Sequence, residues 1–156
     1  MKSKMTILVL LISLLLVSNI SNAQQKKIDL TIIVNVEDIT QENIPETCFF
    51  EDQPEGTSII DYTTEVQPGD EIKWKVKKAD GIKGNVQLVK FKHEKGIKVF
   101  NQDEIQEKNG RIKGVVTSDS RGETEKYIIQ IRVKKQGQSE WEDYSIDPKL
   151  KLTHQD

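Results

Sequence analysis

The side chains able to do acid–base, nucleophilic or metal chemistry are few and far apart. There are two histidines, His93 and His154, and one cysteine, Cys48. A metal site drawing on all three needs three distant segments to converge, and none of them stands in a ligand-spaced motif. His93 lies among charged neighbours in Lys92-His93-Glu94-Lys95, a stretch that reads as a surface turn. A Ser–His–acid or Cys–His site needs a base oriented by a third group, and no such motif surrounds His93. The 25 acidic residues make carboxylate pairs inevitable, so they single out no general acid or base. There is no glycine-rich phosphate loop. The sequence therefore predicts a protein that is not an enzyme and that uses no cofactor.

One pattern could serve binding. In Ile72-Lys73-Trp74-Lys75-Val76-Lys77 apolar and basic residues alternate. Strand side chains point to opposite faces in turn, so Lys73, Lys75 and Lys77 face away from Trp74. Arg132 and Lys134 alternate in the same way with Ile131 and Val133, and Lys90 and Lys92 are nearby in sequence. If these strands are neighbours, one sheet face is basic and suits an acidic protein or an anionic polysaccharide. The plainer reading is a solvated face whose lysines aid solubility and guard an edge. Aromatics make up 6% of the chain and none is interleaved with the lysines of that face, which disfavours a stacking platform for sugars or bases.

Charge and targeting narrow the classes further. Lys2 and Lys4 precede Ile7–Val17, an apolar run broken by Ser13, and Ser21-Asn22-Ala23 supplies small residues beyond it. This is the pattern of a cleaved signal peptide over 1–23. The run is shorter than the roughly 20 apolar residues of a membrane span. No cysteine near the cleavage point would carry a lipid anchor. The expected product is an exported, periplasmic or secreted domain over 24–156, without a transmembrane segment, and its 133 residues suit a single core. Of the 23 cationic residues, loss of Lys2 and Lys4 leaves 21 against 25 acidic ones, a charge of −4 that does not suggest a nucleic-acid partner. With one cysteine no intramolecular disulfide forms, and Phe49 and Phe50 beside Cys48 place that thiol in the core.

The elements read as strands. Leu30, Ile32, Val34 and Val36 alternate through a β-branched run. Glu37–Gly56 is a polar connection too long to be structureless, so a short strand is expected over Thr47–Glu51. Ser58–Val66 reads as extended, with Ile60 and Tyr62 inward. After Pro68-Gly69-Asp70 comes the Trp74 strand, then Val86–Phe91, a turn at His93–Gly96 and a short strand at Ile97–Phe100. Asn101–Lys108 could hold one helical turn. Asn109-Gly110 is a type I′ hairpin signal leading into Arg111–Thr117. Tyr127–Lys134 is the longest strand, Trp141–Ile146 follows, and Pro148 interrupts regular pairing. Short strands between turns, with no long amphipathic helix, predict an all-β, two-sheet antiparallel β-sandwich or a barrel.

Pro68-Gly69-Asp70-Glu71-Ile72-Lys73-Trp74 resembles the strand-opening phrase of cupredoxins, and Tyr127-Ile128-Ile129-Gln130-Ile131 resembles their penultimate strand. The same phrases are similar to immunoglobulin-like domains, with Trp74 on the central strand and Tyr127-x-Ile129 in place of Tyr-x-Cys. Both resemblances imply a two-sheet frame. The copper site of cupredoxins needs two His, a Cys thiolate and a weak axial ligand. Where that family has its first His, Lys77–Asn85 holds none; Ile131 stands for its Cys, Lys134 near its second His, and no Met follows Met5. The resemblance thus implies a frame without the ligands. The expected function is a non-catalytic binding or structural module of the cell envelope; the alternative is a small metal-binding or electron-transfer protein.

Overall fold

The computed structural model describes residues 25–153. The expected signal peptide over 1–23 and His154 lie outside them. The chain runs β1 (Lys27–Val34), a four-residue helix α1 (Ile44–Thr47), β2 (Cys48–Phe50), β3 (Thr63–Val66), β4 (Glu71–Lys78) and β5 (Asn85–Gly96). It continues through β6 (Glu104–Gln106), β7 (Ile112–Val115), β8 (Thr124–Lys134), β9 (Glu142–Ile146) and β10 (Lys149–Leu152). Among the described residues, no helix is long and apolar enough to cross a membrane.

The all-β class is as expected; the purely antiparallel pairing is not. One sheet has the order β2-β1-β4-β7, and the other β3-β10-β8-β5-β6 with β9 also paired to β8. Both sheets are mixed. β1 and β4 run parallel over Lys27–Val34 and Glu71–Lys78, and β3 and β10 run parallel as well. Parallel neighbours need a long crossover, and the segment leaving β1 supplies one by way of α1, β2 and β3 before β4 returns. Strand alternation cannot reveal this, because a strand buries the same residues whichever way its neighbour runs.

Several local expectations also shift. Ser58 begins a turn, with Tyr62 N–H donating to the Ser58 carbonyl at 2.9 Å, so Ile59 rather than Ile60 is the fully buried residue there. β5 does not end before His93. It runs on to Gly96 through register shifts at Leu88/Lys90 and His93/Lys95, and Ile97–Phe100 lies outside any strand. The helical turn expected in Asn101–Lys108 is instead β6, an edge strand paired to β5. Asn109 and Gly110 have φ of 56° and 76°, the two positive values that a type I′ turn requires.

The inner faces of the two sheets meet at Trp74. Its neighbours Ile72 on β4 and Leu30 and Ile32 on β1 are buried with it. From the other sheet come Phe91 on β5 and Tyr127 on β8, with ring centroids 5.4 and 5.7 Å from the Trp74 ring. Phe100 closes the cluster edge-on at 5.7 Å. The indole N–H donates to the Tyr127 hydroxyl at 3.2 Å, so the buried ring leaves no orphaned donor. Trp74→Ala removes the largest of these side chains and should destabilise the fold by roughly 3–5 kcal/mol. Urea denaturation checks this: the midpoint should fall, and an unchanged midpoint with an unchanged slope would contradict it.

Candidate functional site

Because Trp74 is turned inward, β4 presents Lys73, Lys75 and Lys77 on the outer face of its sheet. The parallel register sets Asp29 of β1 opposite Lys73. Its carboxylate lies 2.5 Å from the Lys73 ammonium and 3.6 Å from that of Lys75. The hydrogen bond from Lys73, aided by both lysine charges, holds the Asp29 carboxyl below its ordinary range. Lys77 pairs with Glu51 at 2.6 Å, and that bond holds Glu51 down and Lys77 up. On the other side β7 sets Lys113 directly opposite Lys73. Lys27 and Glu71 face each other at the strand starts and offset one another. The face thus carries Lys73, Lys75, Lys77 and Lys113 against Asp29 and Glu51, an excess of two positive charges.

The excess continues beyond β7. Lys108 and Arg111 form a bridge that closes the Asn109-Gly110 turn, with Lys108 N–H donating to the Arg111 carbonyl at 2.8 Å. Beside the turn is an open hollow of about 390 Å³ lined by Ile105, Gln106, Lys108, Asn109, Arg111 and Lys113. Three of the six are cationic and none is acidic. The sequence reading missed these cations. The legible signal was the Arg111-x-Lys113 alternation after a turn already recognised; the position of Lys108 depends on the bridge.

Arg132 and Lys134 do not join this face. β8 belongs to the other sheet, so the two basic strands are not neighbours. Arg132 donates from Nε and Nη2 to the Gln87 side-chain carbonyl at 2.9 and 2.7 Å. Its guanidinium and the Lys134 ammonium also lie 5.2 and 5.8 Å from the centre of the Trp141 ring. An aromatic therefore does meet cations, across strands rather than along one. Lys90, on the same sheet, is paired with Glu104 at 2.8 Å.

Comparison with protein-family models and with curated proteins finds no match. Among solved structures, the chain is similar to the inclusion body protein PixA from Burkholderia cenocepacia J2315. The likeness has a TM-score of 0.52 at 9% identity and covers 85% of this chain and 99% of the other. At that identity the likeness speaks to the fold alone.

The histidine expected at the surface is largely buried. Alternation along β8 turns Glu125 to the same side as Tyr127, Ile129 and Ile131, and its side chain is 1% exposed. One carboxylate oxygen meets His93 Nδ1 at 2.7 Å, and the other accepts the Val99 N–H at 2.8 Å. Gly96, with φ of 89°, lets the end of β5 approach the start of β8 here, since a Cβ there would lie 2.1 Å from the Thr124 carbonyl oxygen. Apart from Glu125, Asp103 approaches His93 through its backbone, accepting the His93 N–H at 2.7 Å, while its side chain binds Lys98. The pair reads as a clamp: Glu125 ties the segment that carries Val99 and Phe100 to the core.

Cys48 is buried on β2, where desolvation pushes its thiol up to about 12, so it is an unreactive core residue. It lies in the sheet opposite to that of His93. Among the described residues, no three His, Cys, Asp or Glu side chains gather as a metal-ligand set.

Burial raises the Glu125 pKa above its ordinary 4.5, against the opposing pull of His93 and Val99. The folded state then holds that proton more tightly than the unfolded one. The resulting stability is fully present below about 4.5 and is lost as pH rises through the higher folded value. Glu125→Gln, neutral at every pH, should flatten the stability curve just above pH 4.5, as thermal melts across pH 4–7 would show. Identical pH profiles for the variant and the parent would contradict this. Removal of the partner by His93→Ala should cost roughly 3 kcal/mol near neutral pH, because it leaves a buried carboxylate with one bond fewer.

Proposed function

We propose that this chain is an exported, non-catalytic β-sandwich module of the cell envelope that binds an anionic polysaccharide on the outer face of the β2-β1-β4-β7 sheet. The observation that carries the reading is the cationic excess of Lys73, Lys75, Lys77 and Lys113 over Asp29 and Glu51. Contact between Trp74 and residues of the second sheet supports a sandwich. The parallel pairing of β1 with β4 departs from the two antiparallel sheets of immunoglobulin domains. Export rests on the basic, apolar and small-residue pattern of 1–23.

A polysaccharide suits this face better than an acidic protein does. Protein interfaces are anchored by clustered, buried aromatics and arginines near their centre. Here the exposed large hydrophobics among the described residues are Phe49 and Val115, on the two edge strands of the sheet, with the lysines between them. Consecutive lysines of β4 lie roughly 6.6–6.8 Å apart, so a linear polyanion can meet several at once. Arg132 and Lys134, on the other sheet, fall outside the binding face.

The test is Lys73→Gln, Lys75→Gln, Lys77→Gln in one protein. All three side chains face outward, so the variant should fold. It should elute from a dextran-sulfate matrix at clearly lower salt than the parent, because exposed charges act through screened fields. Elution of both at the same salt would remove the reading.

A further inference from the structure

Two features of the turn between β6 and β7, and of β7 itself, run against ordinary sheet pairing. Lys108 stands opposite Arg111, and Lys113 stands opposite Lys73. Like charges directly opposite one another destabilise a sheet. Lys73 is relieved by Asp29, but among the described residues Lys108, Arg111 and Lys113 enter no ion pair. Local choices that oppose the fold concentrate at functional sites. The acid nearest in sequence is held at the same turn but does not line this hollow. The Glu107 carboxylate accepts the Gly110 N–H, and Glu107 lines the neighbouring hollow with Val76, Val86 and Leu88.

We infer that the hollow lined by Lys108, Arg111 and Lys113 is a subsite for a phosphate group carried on a sugar. The inference rests on the polyanion reading above and names one chemical group within it. Three cations around one hollow match a phosphate monoester, which carries about −1.5 to −2 at neutral pH and three acceptor oxygens, better than a carboxylate of charge −1. A guanidinium can grip two of those oxygens side by side, and the ammonium groups add point charge. The hollow, at about 390 Å³, is larger than a bare phosphate needs, and the Gln106 and Asn109 carboxamides on its wall can pair with sugar hydroxyls. Closure of the turn by main-chain bonds holds Lys108 and Arg111 together before the ligand arrives.

The experiment is an amide chemical-shift titration of the purified protein with glucose 6-phosphate, and separately with glucuronate, at constant ionic strength. Saturable shifts centred on residues 105–113 are expected with glucose 6-phosphate, and weaker ones with glucuronate. Lys108→Gln, Arg111→Gln should weaken the phosphate response roughly tenfold or more, while the Lys73, Lys75, Lys77 variant keeps it. Both altered residues of the double variant are exposed, and an otherwise superimposable spectrum establishes its fold. Shifts spread over all the lysines, or a response unchanged in the double variant, would overturn the inference. Silence at residues 105–113 beside a triple variant that still elutes early overturns the subsite and leaves the polyanion reading standing. Silence together with unchanged elution overturns both.

Discussion

The contact of Trp74 with Tyr127 fixes more of this molecule than any other. It joins β4 of one sheet to β8 of the other, and its hydrogen bond satisfies the only polar atom of the indole. A one-residue slip of β4 would send Trp74 to water and Lys73 and Lys75 into the core. No disulfide helps to hold the sheets, so packing at this cluster carries that task. The lysine row is therefore a consequence of the core: whatever holds Trp74 in holds the lysines out.

What became of those lysines depends on the neighbours. β1, parallel to β4, brings Asp29 to Lys73 and Lys75; β7, antiparallel on the other side, brings Lys113. One neighbour lowers the field and the other raises it. The surplus of positive charge is then greatest toward β7 and the Asn109-Gly110 turn, where Lys108 and Arg111 add to it. In the proposed reading, an asymmetric face of this kind would give a polyanion a preferred end at which to bind.

The sequence was informative in the long alternating strands, though not over Ser58–Tyr62, where a turn buries Ile59 instead of Ile60. Trp74, the Tyr127 strand and the Asn109-Gly110 turn lie where alternation and turn chemistry put them, and Cys48 is buried as its neighbours Phe49 and Phe50 suggested. It was uninformative about which strands adjoin. Arg132 and Lys134 resemble Lys73 and Lys75 in pattern, yet they sit on the other sheet beside Gln87 and Trp141. The His93–Glu125 pair was hidden for a related reason. Charged neighbours gave His93 the look of a turn, but register shifts in β5 keep the strand paired past it, and Glu125 precedes the alternating run read from Tyr127 although β8 already starts at Thr124. Local charge density reports composition; burial is decided by the partner strand.

In the proposed reading, the lysines of one sheet face, and not those of the other, meet an anionic polymer. Lysine acetylation with and without excess dextran sulfate, read by mass spectrometry, tests it most directly. Lys75, Lys77, Lys108 and Lys113 should be protected by the polymer, while Lys92 and Lys134 of the other sheet react as fast with it as without it. Equal protection at Lys92 and Lys134, or no protection at the first four, would contradict this.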